Sequence, residues 1–438
     1  MSDAAAKLEG GQSAFVVHPR VGGKRASELG RRTPEASLAE AVGLAQAISL
    51  EVRHAEVVPV ATVNPRTFLG EGRLTTMKGV IAEEAINVVV FDGPLTGVQQ
   101  RNLEKELDCK VIDRTGLILE IFGARARSKE GALQVELAAL QYQRGRLVRS
   151  WTHLERQRGG FGFLGGPGET QIEADRRHID ERIKRIKREL DGTKKTRGLH
   201  REQRAKVPWP VIALVGYTNA GKSTLFNRLT KADVFAADML FATLDPTMRA
   251  IDLPSGRKAI LSDTVGFIAD LPTELVAAFR ATLEEVLQAD LILHVRDIAH
   301  PDSDAQREDV LQVLADLGVT PETQAHALEV LNKIDLLDAD VRQRIENAAA
   351  RNDQQVAVSA TTGEGLDRLL AAAEERLSAG RQVVELDVPL GDGQTLAWLY
   401  AKGVVEDRRD DEAGIAHLRV GLTNADLGRF RKRKLAAE

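Results

Sequence analysis

The chain carries the stretch Gly216-Tyr217-Thr218-Asn219-Ala220-Gly221-Lys222-Ser223, which matches the pattern G-x-x-x-x-G-K-S/T. The apolar run at 211–215 predicts a buried parallel strand, and residues 224–229 begin a helix. Glycines in such a loop let consecutive backbone N–H groups curl around a phosphate, and the helix N-terminus attracts negative charge. The sequence therefore predicts a phosphate-binding loop rather than a glycine-rich turn without a ligand.

Two side chains of this loop carry its chemistry. Lys222 places a mobile positive charge near the β and γ phosphates of a nucleotide, and the hydroxyl of Ser223 can ligate Mg²⁺. The predicted phosphate contacts extend over the whole loop and include Thr224, the next residue.

The composition is that of a globular protein with several domains. The 438 residues exceed one ordinary core, and 43% hydrophobic and 28% charged residues are typical of soluble proteins. No apolar run reaches the roughly 18 residues of a membrane span, and the N-terminal residues lack the apolar core of a signal peptide. We therefore expect a cytoplasmic monomer without a membrane span. The single cysteine, Cys109, excludes an internal disulfide and a cysteine-cluster metal site.

Changes in pattern divide the chain into four predicted domains. Residues 1–124 alternate short apolar runs with helical periodicity, which predicts an α/β layer with a mainly parallel sheet. Residues 125–206 predict a basic helical arm, 207–378 a P-loop domain of the α/β class, and 379–438 a small α+β domain. Strands are predicted at 14–17, 55–63, 88–91, 110–112, 382–388 and 417–420, and helices at 36–50, 72–84, 97–107 and 393–402.

The arm is predicted from two apolar stripes. Apolar residues from Leu133 to Leu154 follow a 4-3 heptad spacing that Arg144 interrupts, and those from Ile172 to Leu190 repeat the spacing after a loop. Two helices with one narrow stripe each bury it most simply against one another. The pattern therefore predicts an antiparallel helical hairpin.

The arm also concentrates positive charge. Residues 141–206 contain 18 Lys and Arg against 9 Asp and Glu, although the net charge of the whole chain is −4. Such a run is more often only a solvated helix face. Here it coincides with a glycine-rich tip at 159–170 that carries Phe161, Phe163 and Leu164, groups able to stack on unpaired bases. The combination favours an arm that follows phosphates and inserts into folded RNA.

Two later segments are predicted to sense the γ-phosphate. Phe241-Ala242-Thr243-Leu244-Asp245 lies beyond the loop helix, where a hydroxyl, Thr243 in preference to Thr247, can complete the shell of Mg²⁺. Asp263-Thr264-Val265-Gly266 is a D-x-x-G motif at a strand end. Asp263 can hold the metal, usually through water, and the amide of Gly266 can meet the γ-phosphate. Alone, a D-x-x-G motif is weak evidence for a nucleotide site. After a phosphate loop and the segment at 241–245, in this order along the chain, it is strong evidence.

The segment Asn332-Lys333-Ile334-Asp335 follows a strand-like run and is predicted to read the base. The carboxylate of Asp335 can accept hydrogen bonds from guanine N1–H and from the 2-amino group, which adenine lacks. Asn332 is expected at the other edge of the base and Lys333 along its ring. Val358-Ser359-Ala360 is expected to supply backbone contacts. The predicted nucleotide is therefore GTP or GDP.

With these motifs in order, the sequence resembles the translation-factor-related GTPases and, more narrowly, the HflX family. The narrower resemblance rests on residues 165–173, the phosphate loop, residues 240–247 and residues 263–268, and it spans roughly residues 60–380. It implies a factor that binds the large ribosomal subunit and its rRNA through the arm, near the peptidyl-transferase centre. Such a factor splits stalled or idle ribosomes under the control of GTP.

The motifs and the resemblance together predict four catalytic residues: Lys222, Thr243, Gly266 and Asn219. Many small GTPases carry a water-orienting glutamine after the glycine of D-x-x-G, where this chain has Phe267. A phenyl ring cannot hold water by hydrogen bonding, so we expect slow hydrolysis that the ribosome or a second cation completes. Similar GTPases use a residue in the position of Asn219 to ligate K⁺; alternatively, Asn219 only hydrogen-bonds within the loop.

The sequence leaves two other functions open. One is a nucleotide-gated protein that binds the ribosome or RNA and in which hydrolysis is only a reset. The other is an ATP-driven rRNA remodeller, which Asp335 disfavours.

Overall fold

The computed structural model describes residues 11–22, 32–157, 167–204, 209–231, 240–241, 247–269, 286–287, 289–320, 327–378, 381–411, 413–423, 427 and 430. The predictions for residues 159–166 of the glycine-rich tip, which include Phe161, Phe163 and Leu164, fall outside these residues, as do those for Ala242, Thr243, Leu244 and Asp245.

The elements alternate along the chain. The strands are β1 (Ser13–Val21), β2 (Glu51–Val60), β3 (Val88–Phe91), β4 (Lys110–Asp113), β5 (Val211–Gly216), β6 (Thr247–Asp252), β7 (Lys258–Asp263), β8 (Leu291–Asp297), β9 (Leu328–Asn332), β10 (Gln355–Ala357), β11 (Arg381–Pro389), β12 (Val404–Asp410) and β13 (Ile415–Thr423). The helices are α1 (Pro34–Ala47), α2 (Glu71–Glu83), α3 (Gly97–Leu107), α4 (Arg114–Arg125), α5 (Lys129–Gln157), α6 (Pro167–Arg204), α7 (Lys222–Thr230), α8 (Ser303–Asp316), α9 (Ala339–Ala349), α10 (Leu366–Ser378) and α11 (Gly393–Lys402).

The N-terminal sheet is parallel throughout, in the order β2-β1-β3-β4. Phe15 and Val17 of β1 pack into one apolar core, and Ala14 and Val16 pack into a second core on the opposite face. Helices α2 and α3 contribute to the first core, and α1 and α4 to the second. The predicted α/β layer with a parallel sheet is confirmed.

Two features of this layer differ from the sequence predictions. Strand β2 begins at Glu51, earlier than predicted, because it is an edge strand whose exposed positions alternate with half-buried ones and give no apolar run. Helix α4 is not predicted because no turn separates it from β4. Asp113 ends β4 and also caps α4, where its Oδ1 accepts the N–H of Gly116 at 2.8 Å.

Helices α5 and α6 form the predicted antiparallel hairpin where their side chains are described. Leu133, near the start of α5, packs with Ile186 and Leu190 of α6 in one apolar cluster. The guanidinium of Arg182 forms two hydrogen bonds with the carboxylate of Glu136, at 2.7 and 2.9 Å. The heptad stripes therefore meet as expected at this end of the hairpin.

The P-loop sheet has six strands in the order β10-β9-β8-β5-β7-β6. Its pairs are parallel except for β6 and β7, which are antiparallel. Strand β5 lies between β8 and β7, so the loop that follows it is central at the carboxyl edge of the sheet. Ligands of open α/β sheets bind at this edge.

The C-terminal layer is an antiparallel sheet, β11-β13-β12, packed with α11. Strand β12 is not predicted from the sequence because charged residues occupy Glu406 to Asp410 and β12 lies at the edge of the sheet. Among the helices of the described residues, none is long and apolar enough to cross a membrane.

One buried histidine gives the P-loop sheet a pH-dependent stability. His294 lies in β8 with 2% of its surface exposed, and burial lowers the pKa of its imidazole from 6.5 to about 3. The unfolded chain therefore takes up this proton at a higher pH than the folded protein.

We expect this histidine to make the P-loop domain less stable as the pH falls from 6.5. The free energy of unfolding should decrease by about 1.4 kcal/mol per pH unit for this one group. Denaturant titrations between pH 7 and 5 measure the slope, which His294→Leu should reduce. His54→Leu, at a half-buried histidine of the N-terminal sheet, is the control and should retain it. Equal slopes in the two variants would contradict the prediction.

Candidate nucleotide-binding site

The phosphate loop connects β5 to α7, as the sequence predicts. Gly221 precedes α7 with a φ of 91°, and a Cβ atom at this position would lie 2.2 Å from Nδ2 of Asn332. A residue other than glycine would both strain the backbone and displace Asn332. The loop is therefore shaped by its neighbours as well as by its own glycines.

Lys222 is buried in the phosphate loop. Only 6% of its surface is exposed, and its Nζ donates to the carbonyl oxygens of Tyr217 at 2.7 Å and Gly216 at 3.1 Å. Burial lowers the pKa of Lys222 to about 8, and the negative charge of Asp263 partly opposes this effect. A buried ammonium group of this kind favours an anionic ligand.

Ser223 and Asp263 lie together beneath the loop. Oγ of Ser223 donates to Oδ2 of Asp263 at 2.8 Å, and Asp263 stands at the end of β7, beside Leu214 of β5. Hydroxyl and carboxylate oxygens are the ligands that Mg²⁺ prefers. The chemistry of the pair therefore fits a magnesium ion, and Ser223 stays the predicted direct ligand. The second predicted ligand, Thr243, lies outside the described residues.

The D-x-x-G segment lies directly on the phosphate loop. The N–H of Thr218 donates to the carbonyl of Phe267 at 2.7 Å, and the N–H of Phe267 donates to the carbonyl of Gly216 at 3.1 Å. A Cβ atom on Gly266 would come within 2.8 Å of Cγ2 of Thr218, so only glycine fits there. This approach places the amide that is predicted to meet the γ-phosphate beside the loop.

The side chains on either side of Gly266 point into the protein. Phe267 is 1% exposed and belongs to an apolar core together with Tyr217 and Val265. The hydroxyl of Thr264 donates to the carbonyl of Leu214 at 2.6 Å. The predicted contacts of Thr264 and Val265 with a nucleotide therefore have to come from the backbone. The ring of Phe267 faces the apolar core and offers no hydrogen-bonding group to a water.

Asn332 has a role that sequence reasoning misses. It is 1% exposed, its Nδ2 donates to the carbonyl of Ala220 at 2.8 Å, and its Oδ1 accepts the N–H of Ala360 at 3.0 Å. One side chain thus joins the phosphate loop to the predicted base-contacting loop. Its contact with the base itself stays a prediction.

The other residues that are predicted to read the base lie at the same edge of the sheet. Asp335 is exposed in a single 3₁₀ turn, Ile334–Leu336, and Lys333 before it has a φ of 68°. Nζ of Lys333 lies 2.8 Å from Oδ2 of Asp297 at the end of β8, a partner that no motif predicts. The carboxylate of Asp335 is accessible to a ligand.

The loop after β10 is fixed by hydrogen bonds within the protein. The N–H of Val358 donates to the carbonyl oxygen of Leu331, and the N–H of Ser359 donates to that of Glu364. The N–H of Ala360 donates to the side-chain Oδ1 of Asn332. Backbone contacts from Val358, Ser359 and Ala360 to a base stay a prediction, and they require these N–H groups to share or exchange their partners.

The N-terminal layer also reaches the site, through residues that sequence reasoning misses. The hydroxyl of Tyr217 in the phosphate loop donates to Glu40 of α1, and Arg32 donates to the same hydroxyl at 2.8 Å. Phe241 packs edge-to-face on Phe122 of α4, with 4.7 Å between ring centroids. These partners lie more than 100 positions away in the sequence, so no local signal identifies them.

We expect nucleotide binding to raise the pKa of Lys222, because phosphates bring negative charge to the buried ammonium group. At pH 8 about half of this lysine is neutral, so binding of GDP should take up about half a proton, and less toward pH 7. Calorimetric titrations in buffers of different ionisation enthalpy measure the uptake. Lys222→Arg, which stays charged, is the control; equal uptake by both proteins would refute the prediction.

Known proteins match this chain along most of its length. The matching family models are described as GTP-binding GTPase N-terminal (residues 35–123), GTP-binding GTPase Middle Region (125–204), 50S ribosome-binding GTPase (211–333) and HflX C-terminal domain (344–437). The GTPase HflX of Magnetococcus marinus is 51% identical over 90% of this chain and 89% of its own length. The GTPase HflX of Escherichia coli is 46% identical over 85% of this chain and 86% of its own length.

The family model described as 50S ribosome-binding GTPase spans the phosphate loop and the D-x-x-G segment, and the two relatives match the chain over most of its length. The arrangement of Lys222, Gly266 and Asp335 at one edge of a P-loop sheet agrees with the hydrolysis of GTP. The chain belongs to the HflX family, and it is a GTP-hydrolysing enzyme.

Proposed function

We propose that this GTPase binds the large ribosomal subunit through its arm, residues 125–206, and splits stalled or idle ribosomes in its GTP state. The observation that carries the proposal is the buried ring of Phe267, which leaves the GTPase site without a water-orienting side chain at this position. Hydrolysis is therefore slow in the free protein and accelerated by the ribosome. The protein acts as a monomer in the cytoplasm.

The charge of the hairpin supports an RNA partner. Its helix α6 exposes a set of basic residues to solvent: Arg176, Arg177, Lys184, Arg185, Lys187 and Arg188. Neutralisation of RNA phosphates by such side chains releases counterions and gives affinity without sequence specificity. One of the matching family models is described as a 50S ribosome-binding GTPase, which supports the large subunit as the partner.

We propose that Mg²⁺ is held by Ser223 and Thr243, with Asp263 acting through water. When bound, the ion neutralises charge on the phosphates during cleavage. The protein contributes the ammonium group of Lys222, the amide of Gly266 and the N–H groups of the loop, which orient the phosphates. A K⁺ ion beside Asn219 is a further proposal, supported by the exposure of this residue on the loop and its φ of 59°.

Two alternatives are less well supported. In a purely nucleotide-gated binding protein, GTP only sets the affinity for a partner and the ribosome does not accelerate hydrolysis. In an ATP-driven rRNA remodeller, adenine would have to occupy the pocket beside Asp335, where the carboxylate would meet no 2-amino group.

Single-turnover hydrolysis with and without purified large subunits tests the proposal. We expect at least about tenfold acceleration, faster in K⁺ than in Na⁺. Lys184→Glu combined with Lys187→Glu should reduce the acceleration and leave the intrinsic rate unchanged. Lys78→Glu on α2, also exposed, is the control and should change neither the acceleration nor the intrinsic rate. Equal rates with and without subunits would contradict ribosomal acceleration and favour the nucleotide-gated binding protein. Equal rates in Na⁺ and K⁺ would contradict the proposal of a K⁺ ion beside Asn219.

Sedimentation of whole ribosomes tests the splitting step separately. With this protein and a non-hydrolysable GTP analogue, the subunits should separate. Whole ribosomes that stay intact would exclude splitting and leave the GTPase assignment untouched.

Replacement of Asp335 by asparagine tests the base contact. Asn can donate to the 2-carbonyl of xanthine and accept from its N1–H, so Asp335→Asn should lose roughly 100-fold or more in GTP affinity and gain XTP binding. Asp338→Asn, at an exposed carboxylate nearby, is the control and should keep the preference for GTP. If Asp335→Asn keeps the GTP affinity, or if the wild type binds ATP as tightly as GTP, the base contact is wrong.

A further inference from the structure

The peptide groups on both sides of Ala269 are bound by side chains from different parts of the chain. The N–H of Ala269 donates to the hydroxyl oxygen of Tyr217 at 2.7 Å. Its carbonyl oxygen accepts from Nη2 of Arg114 at 3.1 Å. Ala269 lies three residues after Gly266, whose amide is predicted to meet the γ-phosphate. A movement of this segment with the nucleotide therefore has to move or break two hydrogen bonds.

The two side chains that bind Ala269 share a third residue. The hydroxyl of Tyr217 donates to Oε2 of Glu40, and Nη2 of Arg114 donates to Oε1 of the same carboxylate. Arg32 binds the Tyr217 hydroxyl and Glu40, both at 2.8 Å, and reaches Asp309 of α8 at 2.6 Å. Burial and the charge of Glu40 raise the pKa of Tyr217, so its hydroxyl stays protonated and can donate.

Arg114 is held firmly in this position. Its side chain is 9% exposed, and Nη1 donates to Oδ1 of Asp92 at 2.6 Å. Asp92 in turn lies 2.7 Å from Nδ1 of His18. A buried charge with several hydrogen bonds cannot shift by small amounts without losing a partner, which is costly in a low-dielectric interior. The cluster therefore moves as a unit or changes partners in one step.

The residue before Arg114, Asp113, forms hydrogen bonds with the first helix of the hairpin, α5. The carboxylate of Asp113 accepts from the hydroxyl of Tyr142 and from Nη2 of Arg146, both on α5. It also accepts the N–H of Gly116 at 2.8 Å, which fixes it to the first turn of α4. Two consecutive residues at the junction of β4 and α4 thus bind the nucleotide-sensing segment and the first helix of the hairpin.

We propose that Tyr217, Glu40, Arg114, Asp113 and Tyr142 are positioning residues that couple the segment after Gly266 to helix α5 of the hairpin. The exchange of GDP for GTP shifts Ala269, and Arg114 transmits this shift through Asp113 to Tyr142. The coupling is a property of the free protein and requires neither ribosome binding nor splitting, so it stands or falls separately from them. By thermodynamic linkage, a change at α5 must in turn alter the preference for GTP over GDP.

The three tyrosines of the chain provide a matched set of variants. Tyr142→Phe and Tyr217→Phe each remove one hydroxyl, at opposite ends of the proposed chain of contacts, and keep the aromatic ring. Tyr400→Phe removes an exposed hydroxyl in the C-terminal layer and is the control. Coupling of the usual size predicts that Tyr142→Phe changes the ratio of the affinities for a non-hydrolysable GTP analogue and for GDP by about fivefold or more.

The double variant Tyr142→Phe with Tyr217→Phe tests whether the hydroxyls of Tyr142 and Tyr217 affect the affinity ratio through the same chain of contacts. If they do, Tyr142→Phe should have little further effect on the affinity ratio in the Tyr217→Phe background. A ratio that is unchanged in Tyr142→Phe, or effects of the two changes that simply multiply, would overturn the proposal. Tyr400→Phe should leave the ratio at the wild-type value.

Hydrogen exchange of the full-length protein gives a readout that folding defects do not imitate. In the wild type, exchange at residues 138–147 of α5 should differ between the GDP form and the form with the GTP analogue. In Tyr142→Phe the difference should shrink at 138–147 and persist at 266–269. If exchange at 138–147 in the wild type is the same with both nucleotides, the proposal is wrong, whatever the variants do.

Discussion

The burial of one positive charge constrains the whole nucleotide site. The ammonium group of Lys222 is removed from water and contacts two carbonyl oxygens of its own loop, with the carboxylate of Asp263 as the opposing charge. Such a group is stable only if the surrounding backbone keeps its dipoles in place. The central position of β5, the close approach of Gly266 and the Ser223–Asp263 hydrogen bond all serve this requirement.

The N-terminal layer takes part in the same arrangement. Its helix α1 supplies Glu40 and its helix α4 supplies Arg114, and both meet the phosphate loop or the segment after Gly266. Phe122 of α4 packs on Phe241, the first residue of the other segment that is predicted to sense the γ-phosphate. A layer without a catalytic motif of its own thus contacts each of the three segments that are predicted to bind the phosphates.

The sequence predicted the parts of the molecule that depend on local order. Strand, loop and helix around Lys222, the D-x-x-G segment at the end of β7 and the heptad stripes of the hairpin are all periodic or short-range signals. Edge strands β2 and β12 were placed poorly or missed, because charged residues on an exposed edge hide the period of two. Helix α4 was missed because Asp113 serves as both strand end and helix cap.

The rest of the site depends on contacts between distant positions. Nothing near Tyr217 in the sequence indicates that Glu40 and Arg32 bind its hydroxyl, and no motif pairs Lys333 with Asp297. Partly buried hydrogen bonds and ion pairs of this kind join elements that only the tertiary fold brings together. The predicted roles of Thr243 and of the aromatic tip belong to residues outside those that the structure describes.

The side chain of Asn332 gives the nucleotide site one further property. Because it holds Ala220 with one atom and Ala360 with the other, the strand that precedes Asp335 also sets the curvature of the phosphate loop. The segment predicted to read the base and the loop predicted to bind the phosphates are therefore joined through one side chain. A displacement of Asn332 would therefore disturb both the phosphate loop and the loop that follows β10.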